Sequence, residues 1–206
     1  MKTIFVMNKP IVFDLDGTLI TCRDKQVSLF NQACNHYGKD VDVDYYWKLK
    51  RNGYSNRSIL TSLNFKFDEV DRICSYWNNH IEDPRWLSLD ELYNYTLDKL
   101  REISLERKIY VLTARKNESN VTTQCDGLGI STFLTDLIVV SHDNVVENKN
   151  RVLNKIKASL FIGDTETDFF ASQNTPSKFI AFTEGQRSKS FLLRQGVTNF
   201  SKINLL

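Results

Sequence analysis

The chain has 206 residues, enough for one medium domain or for one domain carrying a smaller insertion. Its formal net charge of +2, with 41% apolar and 25% charged residues, argues against a broad nucleic-acid or membrane-binding surface. No apolar run approaches the roughly 20 residues that cross a bilayer. Cys22, Cys34, Cys74 and Cys125 have neither CxxC nor zinc spacing and read as free thiols of a reducing, cytoplasmic compartment. His36, His80 and His142 are scattered and read as ordinary polar groups.

In chain order, the patch Ile4 to Met7 is too short for a signal segment and reads as a lead-in to the first strand. Ile11 to Phe13 is that strand. Four further runs, Ile109 to Leu112, Leu137 to Val140, Leu160 to Ile162 and Phe179 to Phe182, have the apolar, β-branched and aromatic character of strands covered on both faces. Between them, Leu89, Leu92, Thr96, Leu100 and Ile103 share a helical face, with Ser88 and Glu91 spaced as a capping box. Val152, Leu153 and Ile156 mark another helix. Strand alternating with helix predicts a Rossmann-like α/β/α core around a parallel sheet.

The interval from Asp16 to Thr113 breaks the alternation. A βαβ unit needs about 30 residues, which leaves roughly 60 to be placed. Arg23 to Arg85 reads as a small inserted helical domain, giving a core of residues 1–22 and 86–206 and an insertion of 23–85. Val27, Phe30, Cys34 and Tyr37 share one helical face, and Val70, Ile73, Cys74, Trp77 and Ile81 another. Asn52-Gly53 marks a turn and Asp83-Pro84 the exit. The alternative is that these helices belong to the main domain.

Four polar clusters sit at strand ends, where parallel sheets bind ligands. Asp14-Leu15-Asp16-Gly17-Thr18 follows the first strand, with Asp14 and Asp16 facing one side and Leu15 the other. Two carboxylates there need a cation or a proton to compensate them, and Gly17 permits a tight departure of the backbone. Thr113, followed by Ala114 and Arg115, ends the second strand, where a hydroxyl and free amides can hold a phosphate oxygen. Lys149 lies after the third strand and ahead of a helix. Lys155, within that helix, competes for the same role. Gly163-Asp164-Thr165-Glu166-Thr167-Asp168 follows the fourth strand, with Asp168 one helical turn beyond Asp164. Three or four carboxylates from two strand ends form a hard oxygen site suited to Mg²⁺.

In this order and on successive strands, the clusters resemble the haloacid dehalogenase superfamily of phosphohydrolases. Phe13-Asp14-Leu15-Asp16-Gly17-Thr18-Leu19 resembles its first motif, Leu112-Thr113 its second, Lys149 its third, and Gly163-Asp164 with Asp168 its fourth. The insertion stands where the phosphoglycolate phosphatase-like and β-phosphoglucomutase-like branches carry a helical cap. The interval from Thr113 to Lys149 is too short for the large cap of other branches.

The resemblance implies Asp14 as nucleophile and Asp16 as acid and then base. It implies Mg²⁺ on Asp14, the Asp16 backbone carbonyl, Asp164 and Asp168, and phosphate held by Thr113, Ala114 and Lys149. A second Asp, at 16, favours phosphatases and phosphomutases over dehalogenases. The expected substrate is a small phosphorylated metabolite. The phosphoryl site leaves the rest of that molecule unread, and Lys50, Arg51 and Gly53 at the insertion's clearest turn are the candidates for reading it, with Arg23 and Arg115 next. A phosphomutase would use the same residues. A metal-dependent nuclease would leave Thr113 and Lys149 without a role, and a non-enzymatic binding module would be expected to lack Asp14 or Asp164. The oligomeric state is left open between a monomer and a weak dimer.

Overall fold

The computed structural model describes residues 9–202, so the Ile4 to Met7 patch lies outside the described residues. Six parallel strands form one sheet: β1 (Ile11–Phe13), β2 (Ile109–Ala114), β3 (Asp136–Val140), β4 (Leu160–Gly163), β5 (Lys178–Phe182) and β6 (Phe200–Ser201). Their order across the sheet is β3-β2-β1-β4-β5-β6. The chain builds outward from β1 to one side through β2 and β3, then crosses back to β4 on the other side. This reversal beside β1 is the place where doubly wound sheets bind ligands.

The two faces follow from the period of two along each strand. Ile11 and Phe13 pack with Ile109, Val111 and Ile162 on one face, under α6 (Thr96–Ser104) and α7 (Glu118–Gly127). Val12 packs with Leu112 and Phe161 on the other, where α8 (Val145–Ile156), α9 (Glu166–Ser172) and α10 (Lys189–Arg194) contribute Leu153, Ala171 and Leu192. Each fully buried large side chain of this kind stabilises the fold by about 1.5–3 kcal/mol.

The insertion is helical: α1 (Arg23–Asn35), α2 (Val43–Arg51), α3 (Asn56–Ser62), α4 (Phe67–His80) and the single turn α5 (Pro84–Leu87). Phe30, Tyr46, Ile59, Leu60 and Ile73 bury one another in a cluster drawn wholly from this region. The expected faces of α1 and α4 supply Val27, Phe30, Cys34, Val70 and Ile73 to it. Asn52-Gly53 is a turn, with Gly53 at φ +87°.

Three local expectations are corrected. Asp83-Pro84 does not end the helical run; Pro84 opens α5, at the first helical position where its missing N–H costs nothing. Ser88 and Glu91 do not cap a helix. The Glu91 carbonyl accepts from the Thr21 N–H at 2.7 Å, and Leu92 bridges Ile20 antiparallel. The two chain crossings into the insertion thus pair with each other, and this pairing overrides the local helical pattern. The helix begins only at Thr96, after Tyr95 at φ +70°. Lys149 is in the second turn of α8 rather than ahead of it.

Candidate active site

Register brings the four clusters to one edge. Phe13 pairs with Val111 and with Ile162, so Asp14, Thr113 and Asp164 leave three neighbouring strands side by side. Leu15 turns into the core at 0% exposure, whereas Asp14 and Asp16 both line a cavity of about 510 Å³. Thr113, Ala114, Lys149 and Asp168 line the same cavity. A hollow of about 630 Å³ at the opposite edge of the sheet, bounded by Ile11, Arg107, Lys178 and Phe200, has none of these residues.

Asp14, Asp164 and Asp168 are buried, and each offers a carboxylate oxygen within 4.8 Å of the others'. Lys149 is the cation among them. Its Nζ donates to Asp14 Oδ1 and to Asp168 Oδ1, each at 2.6 Å. Lys155, the competitor, is exposed. Asp168 is oriented by the start of α9: its carboxylate accepts from the Thr165 N–H and hydroxyl, and Thr165 Oγ1 accepts from the Asp168 N–H. Asp164 accepts from the Gln186 N–H at 2.5 Å, and the Thr18 hydroxyl lies at 3.5 Å.

Two glycines let the backbone close around Asp164. Gly17 has φ +80°, and a Cβ there would overlap the Asp164 carboxylate. A Cβ on Gly185 would overlap both that carboxylate and the Gly17 carbonyl. Gly17 stood out in the sequence; Gly185, remote from every motif, carried no signal.

Three carboxylates against one ammonium leave the site short of positive charge. Burial pushes Asp14 up to about 7, with the Asp168 charge adding to the effect and Lys149 opposing it. Burial, then Asp14 and Asp168, push Asp164 well above the usual carboxylate range. A hard divalent cation would relieve both, and the all-oxygen donor set suits one. Lys149 goes the other way: burial disfavours its charge, but Asp14 and Asp168 outweigh that and hold it protonated.

Asp16 has a different environment. Arg115 grips it in two-pronged fashion, Nε to Oδ2 at 2.7 Å and an Nη to Oδ1 at 2.5 Å, while Lys25 Nζ lies 3.0 Å from Oδ1. Burial opposes ionisation here too, but Arg115 and then Lys25 outweigh it and hold Asp16 well below the usual range. Arg115, a sequence candidate for reading substrate, is therefore committed to Asp16.

The other candidates lie away from the cavity wall. The Arg51 guanidinium donates to the Thr183 carbonyl at 2.8 Å, and Ser188 N–H donates to the Arg51 carbonyl at 2.8 Å, so this turn is fastened to the loop after β5. Gly53 packs against Phe191. Arg23 pairs with Asp24 and Asp44 near the surface. Lys50 Nζ sits 5.8 Å from the centre of the Trp77 ring, and burial, then Arg187, lower its pKa to about 8.

The walls come instead from Lys25 and Gln26 of α1, from Trp77, Asn78, Ile81 and Glu82 at the end of α4, and from Lys116 and His142. Their spacing in the sequence puts Trp77 and Ile81 on a packing face; in the structure both also line the cavity. Glu82 fastens this side: it accepts from the Lys116 N–H at 2.9 Å and the Asn117 N–H at 2.9 Å, and His142 lies at 3.4 Å.

Relatives of known structure share this architecture. A haloacid dehalogenase-like family hydrolase from Streptococcus pneumoniae superposes with a TM-score of 0.76 at 19% identity, over 95% of this chain and 94% of its own. A predicted phosphatase from Clostridium acetobutylicum gives 0.71 at 16% identity, over 94% and 93%. A predicted phosphoglycolate phosphatase from Haemophilus somnus gives 0.69 at 17% identity, over 97% and 96%. No curated protein matches the chain. At these identities the likeness shows the fold. The family rests on the sequence itself: the profile of the haloacid dehalogenase-like hydrolases matches residues 11–182, spanning all four clusters from Asp14 to Asp168, and the chain belongs to that family.

Proposed function

We propose that the chain hydrolyses a small phosphate monoester through an aspartyl-phosphate on Asp14. The observation that carries this reading is the buried Asp14, Asp164 and Asp168 cluster with Lys149 between two of its members, at the strand ends where Thr113 and Ala114 offer groups for phosphate oxygens. A carboxylate nucleophile needs no base to activate it once a cation holds it ionised. An Asp14 oxygen forms a bond to phosphorus as the bond to the leaving oxygen breaks, and Asp16 gives that oxygen a proton. Water then attacks phosphorus, its proton passes to Asp16, the bond to Asp14 breaks and inorganic phosphate departs. Thr113, the Ala114 backbone and Lys149 hold the non-bridging oxygens throughout.

Mg²⁺ fits the donor set of Asp14, the Asp16 backbone carbonyl and Asp164, with Asp168 direct or through water. When bound it shields the nucleophile from the charge of the phosphate. Lys149 and Asp16 divide the remaining work. The ionised Asp16 gripped by Arg115 is in the state that accepts a proton from water. For the acid step it takes up a proton against that grip.

Residues 23–85 act as a cap, with α1 and the end of α4 covering the phosphoryl site and excluding water. The leaving group meets Gln26, Trp77 and Asn78, with Lys50 behind Trp77. A phosphomutase would use the same floor and differ in these walls.

The test is phosphate release from a panel of sugar phosphates, nucleotides and phosphorylated short acids. Release that needs a divalent cation, and that chelator abolishes, is expected. Undiminished release in excess chelator would remove the metal from the account.

A further inference from the structure

Behind Asp16 lies a second layer of buried charge that the reaction above does not use. Lys25 is only 2% exposed. Its Nζ reaches Asp16 Oδ1 at 3.0 Å and Asp90 Oδ2 at 2.5 Å. Asp90 is 4% exposed, and the same Oδ2 also accepts from Gln124 Nε2 at 2.9 Å and lies 4.0 Å from an Arg115 Nη. Asp90 Oδ1 is buried with no hydrogen-bond partner.

As a device for stability this arrangement is poor. A buried ion pair often recovers no more than its own desolvation cost, and apolar residues of similar volume often serve as well or better. An unsatisfied carboxylate oxygen adds a further penalty. Its location suggests a different use. Lys25 is in the first turn of α1, just past one crossing into the insertion, and Asp90 lies on the other crossing, beside Glu91 and Leu92, which pair with Thr21 and Ile20. The two residues therefore meet where the two crossings pair, and there Lys25, at the cavity wall, bonds the Asp16 carboxylate.

We infer that Lys25 and Asp90 are positioning residues for Asp16: Asp90 draws the Lys25 ammonium to one side, so that the Asp16 carboxylate is held at a fixed place yet is not locked between two unshared cations. Without Asp90, Lys25 and Arg115 would both bear on Asp16 alone. Without Lys25, Asp16 would be steered by Arg115 only. This inference rests on the acid role given to Asp16 above.

Dependence on the leaving group tests it. An alkoxide needs a proton as it departs, whereas p-nitrophenolate leaves unaided. The readout is the ratio of kcat/KM for glycerol 2-phosphate to kcat/KM for p-nitrophenyl phosphate. Partial unfolding lowers both terms equally and leaves the ratio intact. D16N should lower the ratio about a hundredfold or more, the usual contribution of a placed acid. D90N and K25M should each lower it about tenfold, as a displaced acid does, and K25R should retain more of it than K25M. A ratio within twofold of the parent's in either D90N or K25M, while that of D16N falls, would overturn the positioning role and leave the acid role standing. An unchanged ratio in D16N would overturn the acid role, and the inference with it.

Discussion

At the scale of single residues, environment separates two aspartates two positions apart. Asp14 sits among carboxylates and is pushed up to about 7, burial being the main cause. Asp16 faces Arg115 and Lys25 and is held down. Lys149 carries the compensating charge, so Lys149→Ala should reduce kcat by about a hundredfold or more, removing a charge-assisted contact to the transferring group. Lys155→Ala, at an exposed position on the same helix, should stay within about twofold of the parent. Steady-state rates of the two variants, with Mg²⁺ saturating, check this. The position of Lys149 near the strand ends was legible in the sequence, although its contacts were not: it lies in the second turn of α8, and its Nζ reaches Asp14 and Asp168. Arg115 shows the opposite case. Its position beside Thr113 marked it as near the site, but only tertiary geometry shows that it grips Asp16.

At the scale of elements, the buried strands were readable because continuous apolar runs have few other uses, and β1, β2, β3, β4 and β5 lie where those runs are. Two-residue β6 has too little pattern to be seen. The segment after Ser88 was misread because local spacing fits a helix, while long-range pairing of Glu91 and Leu92 with Thr21 and Ile20 wins. The turn at Asn52-Gly53 is legible in the sequence, while its packing is not. Its neighbour Arg51 reaches the Thr183 carbonyl, not the cavity. Arg51→Ala should therefore cost about 1–2 kcal/mol of stability, by leaving a carbonyl unpaired. It should also lower kcat/KM for a preferred substrate and for an aryl phosphate by the same factor. Thermal unfolding and the two rates check this; a loss confined to the preferred substrate would return Arg51 to the substrate-reading wall. The wall residues Gln26, Trp77 and Asn78 come together only when α1 and α4 pack, and no single stretch of sequence announces that meeting.

At the scale of the molecule, a sheet-edge site with excess buried negative charge would link folding to the binding of a cation. Asp14 ionises in the unfolded chain near 3.8 but in the folded chain near 7. Between those values the folded state binds the extra proton, so this group's contribution to stability is full below about 3.8 and is lost as pH rises through about 7. Mg²⁺ held by these carboxylates would compete with that proton and offset the loss. The rise in Tm on adding Mg²⁺ should be larger at about pH 8 than at about pH 5.5, and Asp164→Asn should shrink it at both. An equal rise at both pH values would detach the cation from these carboxylates. The family and the doubly wound core were legible because the four clusters recur at successive strand ends. The substrate was not, since its walls belong to the packing of the insertion.

Attack of Asp14 on phosphorus is tested most directly by phosphate release from the Asp14→Asn protein beside the parent, with Mg²⁺ and p-nitrophenyl phosphate. The amide keeps the shape of the side chain and removes the nucleophile, so the rate should fall by about a thousandfold or more while circular dichroism is unchanged. Release by a folded Asp14→Asn protein within about tenfold of the parent would contradict the covalent mechanism.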